Sequence, residues 1–252
     1  MFKSSSSFFV SKDNPTSTGT ELATYSFCIA KTSEEKKPSV ESYQTAARNG
    51  DGKAAYDLGV CYGTGQGVLR DDKRAVEWFH LAETDRSIAP EAKFALGIHL
   101  VVGRGIAKSE TLATMKFVEA ASAGHAKAQL WLGKQYQEGR GATKSLDAAA
   151  ACFELAAAQG LASAQFELGR CYAWGEGKPI EYSKANSLLR TASAQGHSGA
   201  IQLLARFEVD PAYRRHFPVP EPTARTGDES SSKTSNSEPH LASVITASPM
   251  TI

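Results

Sequence analysis

The 252-residue sequence has no long hydrophobic run and almost no net charge. No stretch of about 20 consecutive apolar residues occurs, so we predict no transmembrane helix. Phe8, Phe9 and Val10 lie between serines and Lys12 and form too short an apolar segment for a secretory signal peptide. The 28 lysines and arginines nearly balance the 27 aspartates and glutamates. This balance argues against binding to nucleic acid or to a membrane surface through bulk charge.

Residues that could carry catalysis or bind a metal are also sparse. Among the six histidines, no two are spaced at i, i+3 or i+4, the spacing that would let a helix present a pair to zinc. The glycine-rich residues 63–67 have neither a preceding strand pattern nor a following Gly-Lys-Ser/Thr, so they do not predict a phosphate-binding loop. No Gly-x-Ser-x-Gly motif is present. We therefore predict no enzymatic activity, metal, cofactor or small-molecule substrate.

What the sequence does have is a repeat of about 36 residues. A Leu-Gly pair recurs four times, and its glycines are separated by 38, 36 and 36 residues. A Gly-x-Gly, three alanine positions and an aromatic-or-leucine position recur with the same step, as expected for a repeat architecture. The Leu-Gly pairs are Leu58–Gly59, Leu96–Gly97, Leu132–Gly133 and Leu168–Gly169, and the aromatic-or-leucine positions are Phe79, Phe117, Phe153 and Leu189.

Each unit predicts two helices. The first covers residues 128–136 in the third unit and ends at the Gly-x-Gly, where glycine can adopt a positive φ. The second begins after Asp71, Ser109 or Ser145, residue types that suit an N-cap. A glycine inside a helix costs about 1 kcal/mol relative to alanine. Gly133 and its equivalents therefore predict a close approach of the partner helix that leaves no room for a side chain.

These motifs resemble a known repeat family. The third unit reads AQLWLGKQY, then GRGA, AAACF and AAAQG. The pattern is similar to that of the Sel-one-like repeat (SLR) family, a relative of the tetratricopeptide repeat, over four units from about Ala54 to Gly199. Two departures are Leu100, where other units have tyrosine, and Leu188–Leu189, where the first unit has Trp78–Phe79.

The repeat and the resemblance together predict an all-α protein. We expect a right-handed α-solenoid of stacked antiparallel helix pairs with about ten helices and disordered tails. The expected organisation is a disordered leader at 1–37, a solenoid at 38–210 and a disordered tail at 211–252. Within the solenoid we expect a half unit at 38–53, repeats at 54–91, 92–127, 128–163 and 164–199, and a closing helix at 200–209, since repeat proteins need end pieces.

The two tails allow further interpretations. The serine-rich leader, which has no acidic residue before Asp13, is similar to the N-termini of bacterial type III secreted effectors. Just after the solenoid, PAYRRHFPVPEP could lie extended against the last helix through Tyr213 and Phe217. The final Met250–Ile252 could be read by a domain that captures carboxylates, but an inert tail is the simpler interpretation.

The four cysteines bear on one branch of the family. Cysteine-rich SLR proteins are exported and carry a disulfide in each unit, and penicillin-binding activity is reported among them. Here the second unit has no cysteine, and only Cys152 and Cys171 fall on neighbouring helices. We therefore expect reduced thiols and do not carry that activity over. His125 and His197 follow the turn glycine in equivalent positions, which predicts structural roles.

By analogy with tetratricopeptide repeats, the first helices should line a concave groove that binds a partner. Tryptophan is enriched at binding sites; Trp78 occupies a core position, whereas Trp131 and Trp174 do not, so at least one of the latter two should be exposed. The groove would be apolar in the first two units and charged in the last two, which suits an extended peptide with an apolar and an acidic part. Its predicted residues are Val60, Thr64, Ile98, Val102, Lys134, Glu138, Arg170 and Trp174.

The function expected from this sequence is a non-enzymatic scaffold or adaptor that binds a protein or peptide. One alternative is a secreted bacterial effector that uses the same groove on a host protein. A third, less favoured alternative is an enzyme of the cysteine-rich branch that hydrolyses β-lactams. The expected location is the cytoplasm, or a host cell in the case of the effector.

Overall fold

The computed structural model describes residues 39–210 together with Tyr213, His216 and Phe217. Within this part of the chain it contains ten α-helices and no strand, which confirms the predicted all-α solenoid. The predicted disordered leader at 1–37 and most of the predicted disordered tail at 211–252 lie outside the described residues. The helices are α1 (Val40–Arg48), α2 (Gly52–Thr64), α3 (Asp72–Ala82), α4 (Ala89–Val102), α5 (Glu110–Ser122), α6 (Ala126–Glu138), α7 (Leu146–Ala158), α8 (Ala162–Trp174), α9 (Tyr182–Ala194) and α10 (Ser198–Val209).

The helix ends follow the predicted capping residues. Asp71, Ser109 and Ser145 each accept a hydrogen bond from a backbone N–H in the first turn of α3, α5 or α7. These bonds satisfy amides that have no partner inside the helix. The first helix of each unit ends at the first glycine of its Gly-x-Gly, which adopts a left-handed conformation, as at Gly139 with a φ of 72°. Local sequence chemistry thus sets the start of most helices and the end of the first helix in each of the four units.

Consecutive helices pack side by side and build the solenoid one pair at a time. The even-numbered helices α2 to α10 are the first helices of the units, and the odd-numbered helices are the second. Each helix contacts the one before it and the one after it in the chain. Because the turns between them are short, neighbouring helices are antiparallel. The core is therefore continuous along the stack.

The Leu-Gly position marks the closest contact inside each pair, as predicted. A Cβ built on Gly133 would lie 2.5 Å from the Phe153 ring of the partner helix, and one on Gly59 would lie 2.7 Å from the ring of Phe79. At Gly169 the facing residue is Leu189, and its nearest atom would be 3.0 Å away. Glycine is needed here because the aromatic ring fills the space of a side chain. The two helices are packed less tightly at this position in the fourth unit, where leucine replaces the aromatic residue.

The second glycine of each Gly-x-Gly makes a contact that the sequence reading did not foresee. Gly141 has a φ of 67°, and a Cβ there would overlap the carbonyl group of Glu110, at the start of α5 in the preceding unit. The buried Thr114 hydroxyl donates to the Glu110 carbonyl oxygen at 2.9 Å and lies 3.2 Å from the Arg140 carbonyl oxygen. Gly105 and Gly177 approach the preceding units in the same way. This glycine therefore joins one unit to the next.

Two pairs of glutamines, each with one buried member, Gln129 or Gln165, also hold the turns between helices. Gln159, which follows α7, donates from Nε2 to the Gln129 side-chain oxygen at 2.8 Å and to the Gly124 carbonyl oxygen at 2.9 Å. The equivalent pair in the fourth unit is Gln195 and Gln165, at 2.9 Å. Because buried amides must find partners, these bonds help to fix the register of α6 with α7 and of α8 with α9.

An aromatic turn closes the stack after α10. Phe217 is fully buried, and its ring centroid lies 4.4 Å from that of Phe207 in α10. His216 stacks on Tyr182 at 4.3 Å, and Tyr213 stacks on Phe207 at 4.7 Å. The predicted contact of Tyr213 and Phe217 with the last helix is confirmed. The predicted extended conformation is wrong, because the Phe217 N–H donates to the Tyr213 carbonyl oxygen at 3.1 Å, as in a helical turn.

None of the helices in the described part of the chain is long and apolar enough to cross a membrane.

Candidate functional site

The predicted groove residues divide into a buried group and an accessible group. Val60 and Ile98 are only 6% and 4% exposed, so the prediction that they leave the packing face is wrong. Val60 packs in a core cluster with Leu96 of the next first helix, and Ile98 packs in a cluster with Leu130. At these positions the first helices of adjacent units pack against each other in a common hydrophobic core. The partly or fully accessible residues are Thr64, Val102, Lys134, Glu138, Arg170 and Trp174.

Thr64 and Val102, at the ends of α2 and α4, offer little to a partner. The Thr64 hydroxyl donates to the Val60 carbonyl oxygen of its own helix at 2.8 Å. Val102 packs against the main core cluster. The predicted apolar half of the groove is therefore largely closed in this structure.

The accessible part of the predicted site lies on α6 and α8. The ammonium of Lys134 lies 5.9 Å from the centroid of the Trp131 ring, one turn earlier on α6. Glu138, at the end of the helix, forms an ion pair with Arg140 at 2.8 Å. The site thus offers a cation and an apolar ring on α6, with an acidic residue beside them.

On α8, Arg170 lies among aromatic rings. Its guanidinium carbon is 5.2 Å from the centroid of Trp174 and 5.9 Å from that of Phe166, within the range of a cation–π contact. An ion pair with Glu167 at 3.0 Å also holds it in place. Trp174 is 39% exposed, which confirms the prediction that Trp131 or Trp174 would be exposed. The guanidinium is therefore preoriented next to an accessible indole.

Sequence reasoning missed Phe166 and Glu167 as members of this arrangement. Both lie one helical turn before Arg170, and residues at i, i+3 and i+4 share a helix face. That spacing was a signal available in the sequence. We refer to Trp131, Lys134, Phe166, Arg170 and Trp174 together as the α6–α8 surface.

Three of the described histidines have structural roles, and these roles were predicted for His125 and His197. Each is an N-cap, and each accepts a hydrogen bond through Nδ1 from a backbone N–H, at 3.1 Å for His125 and 3.2 Å for His197. The His99 ring nitrogen Nδ1 lies 2.8 Å from the Arg104 carbonyl oxygen. Burial lowers the pKa of His99, and the bond to Arg104 opposes that shift only in part. Among the described residues, no group of three His, Cys, Asp or Glu side chains could hold a metal ion.

None of the described cysteines forms a disulfide. Cys152 and Cys171 are buried, and burial raises the pKa of each to about 12. Since the thiolate is the reactive form, both thiols are poor nucleophiles at neutral pH. Cys61 is partly exposed and also unbridged, and Cys28 lies outside the described residues.

The cap at the start of α6 should make stability depend on pH. Burial, aided by Lys127, lowers the pKa of His125 from 6.5 to about 4. Between these values the unfolded chain binds a proton that the folded chain does not, so stability falls as the pH falls. We expect wild-type protein to lose on the order of 1–2 kcal/mol more than a His125→Asn variant over this range, with partial exposure limiting the effect. Asparagine caps equally well and does not titrate.

Urea unfolding at neutral pH and near pH 4 measures this difference. All other titrating groups are common to the two proteins, so their contributions cancel in the comparison. Equal losses of free energy of unfolding in the two proteins would contradict a neutral, acceptor role for His125.

Comparisons with known proteins agree with the repeat geometry. The Sel1 repeat model matches residues 52–84, 126–161 and 162–197. The interval between the first two matches holds α4 and α5, which pack in the same way, with Gly97 against Phe117. A search of curated proteins finds no match.

Two solved structures have a similar fold. One is a protective antigen present in uropathogenic Escherichia coli strains that displays an SLR fold; it is 29% identical, with a TM-score of 0.64 over 68% of this chain and 37% of that chain. The other is a Sel1 repeat protein from Oxalobacter formigenes, 34% identical, with a TM-score of 0.60 over 66% of this chain and 48% of that chain. The matched region therefore spans less than half the length of either protein.

Proposed function

Since this chain is a Sel1-repeat protein, and such helical repeats typically serve protein interaction, we propose that it is a non-enzymatic scaffold or adaptor. It binds a partner protein or peptide at the α6–α8 surface. The proposal narrows the expected groove to its last two units, because Val60 and Ile98 are buried.

The observation that carries this proposal is the exposed Trp174 beside Arg170. Tryptophan and arginine are the residue types most enriched among binding hot spots. Most large aromatic side chains of the repeat columns are fully buried, including Phe79, Phe117 and Phe153. An accessible indole with a guanidinium 5.2 Å from its centroid departs from that pattern. A role in packing alone does not require this exposure.

The chemistry of the surface indicates the kind of partner. Lys134 and Arg170 occupy equivalent positions in successive units and each lies beside an aromatic ring. A segment that carries a carboxylate next to an apolar or aromatic side chain could bind the cation and the ring together. Glu138 lies at the end of the surface and would disfavour a partner that is acidic throughout. We therefore propose a partner segment with both an acidic and an apolar part.

The test is affinity capture from an extract of the native cell, with the full chain as bait. The bait is compared with an Arg170→Gln, Trp174→Ala double variant. A charge reversal at Arg170 would be a poor choice, because Glu167 lies 3.0 Å away and its side chain is mostly buried. The matched control is Arg104→Gln with Leu69→Ala, which makes the same two kinds of change at exposed positions outside α6 and α8.

We expect a protein that is captured by the wild-type and control baits and lost with the Arg170, Trp174 variant. Melting curves of all three baits establish that each is folded. A captured protein that is retained equally by all three baits would place recognition elsewhere on the chain and refute the α6–α8 surface.

A further inference from the structure

The last helix, α10, has one apolar face that no described residue covers. Ile201, Ala205 and Val209 lie at i, i+4 and i+8 and therefore on one side of the helix. Ile201 is 48% exposed and Val209 is 81% exposed. The opposite side is core, with Leu204 and Phe207 buried against the preceding helices and the aromatic turn.

The same three positions are buried in the preceding unit. There they are Gln165, Gly169 and Ala173, of which Gln165 is 8% and Ala173 is 2% exposed. They face α9, because Gln165 accepts a hydrogen bond from Gln195 and a Cβ on Gly169 would lie 3.0 Å from Leu189. The open face of α10 is thus the face on which the second helix of a further unit would pack. Ala205 stands where the close-packed glycine stands in other units.

The residues directly after the aromatic turn cannot supply that helix in register. A second helix one period after α9 would begin at about residue 218. Pro218, Pro220 and Pro222 fall within its first turns, and proline beyond the first turn removes a helical hydrogen bond and clashes with the preceding turn. Whatever covers the open face must come from a more distant part of the chain or from another molecule.

We propose that residues 240–247 of the same chain, HLASVITA, dock on this open face of α10. Five of these eight residues are apolar, a density that no other stretch of this length after Phe217 exceeds. Leu241, Val244 and Ile245 lie at i, i+3 and i+4 and would form one apolar side of a short helix. Pro239 before them and Pro249 after them suit the start and the stop of such a helix.

The length of the intervening chain permits this docking. The described chain ends at Phe217, which itself packs on α10 through Phe207. The 23 residues from 218 to 240 are rich in serine, threonine and proline. A flexible chain of that length has a root-mean-square span of roughly 26 Å, whereas α10 is about 18 Å long. Tethering at that span gives an effective concentration in roughly the millimolar range, so docking within one chain is favoured over pairing of two copies.

Hydrogen exchange of the full chain tests the proposal. Backbone amides of residues 241–247 are expected to exchange at least about tenfold more slowly than those of a synthetic peptide with the sequence of residues 238–249. An Ile201→Asp, Val209→Asp variant should abolish this protection, and so should Val244→Asp with Ile245→Asp. Both α10 positions are solvent-exposed, so these aspartates leave the core intact. The control is Leu112→Asp with Met115→Asp, two exposed apolar residues on α5, which should leave the protection unchanged.

Measuring at two protein concentrations, alongside sedimentation, separates the possible occupants. Protection that is independent of concentration in a monomer supports docking of the tail on its own chain. Protection that grows with concentration together with dimer formation would overturn the proposal in favour of a second copy. Exchange of residues 241–247 at the rate of the free peptide in the wild-type protein would also overturn it.

Discussion

A Gly141→Ala variant is expected to melt roughly 4–20 °C below the wild-type protein. Two costs add at this position. The residue has a φ of 67°, a left-handed conformation that costs a non-glycine residue roughly 1–2 kcal/mol. The new Cβ would also overlap the backbone carbonyl group of Glu110 and lie 2.6 Å from the Thr114 hydroxyl oxygen. Backbone cannot move away as a flexible side chain can, so overpacking adds about 1–3 kcal/mol. Each kcal/mol lowers the melting temperature of a chain this long by roughly 2–4 °C.

Comparison with a Gly160→Ala variant separates the cost of the steric overlap from the cost of the left-handed conformation. Gly160 has a φ of 83°, but nothing lies within 4 Å of the place where its Cβ would be. It therefore carries only the conformational cost, and the melting temperature of this variant should fall by the smaller amount of roughly 2–8 °C. Thermal unfolding followed by circular dichroism measures both variants. Equal decreases in melting temperature for the two variants would show that the steric overlap with the preceding unit adds no cost to the substitution at Gly141.

The second large effect is expected at the closing turn, where Phe217→Ala should lower the free energy of unfolding by about 3–5 kcal/mol. The Phe217 ring is fully buried, with centroid distances of 4.4 Å to Phe207 and 6.0 Å to Tyr182. Its removal leaves a cavity between the start of α9 and the end of α10. Stability in a repeat protein is nearly a sum over neighbouring units. The loss should therefore be greatest in the last unit.

Urea unfolding measures the total loss, and hydrogen exchange locates it. Amides of α9 and α10 should lose protection in Phe217→Ala before those of α2 and α3 do. Gln202→Ala is the control, since it truncates an exposed side chain on the same helix outside the apolar stripe and should change stability by less than about 0.5 kcal/mol. If Phe217→Ala behaved like Gln202→Ala, the aromatic turn would not close the solenoid.

Much of the fold could be predicted because the residues that determine local structure recur in four units. Each unit by itself predicts an N-cap residue and the Leu-Gly contact, and the next unit repeats the same pattern. The N-caps predicted in this way are Asp71, Ser109 and Ser145. Each depends on residues a few positions apart or on the partner helix of the same pair. Gly133 against Phe153 is of this kind, since both columns recur at a constant separation.

The candidate site was predicted less well, because exposure depends on the neighbouring units. Val60 and Ile98 occupy the same repeat position as Lys134 and Arg170, yet only the latter two reach the surface. Position within the repeat alone predicts the same exposure for all four residues. What distinguishes them is which side chains of the next first helix lie beside them, and that is a property of the stack. Arg170 and Trp174 were predicted, whereas Phe166 was missed although its i, i+4 spacing to Arg170 is readable in the sequence.

The sequence alone determined the all-α repeat, its period, most of its helix ends and the close contact within each pair, because these follow from hydrogen bonding and packing over short separations. Only the tertiary structure decided the rest. It showed that the second glycine of each Gly-x-Gly contacts the preceding unit, that the predicted contact of Tyr213 and Phe217 with α10 is made by a turn, and that α10 has an apolar face that no described residue covers. These features arise where one unit meets another or where the stack ends, and a repeating pattern carries no local signal for either place.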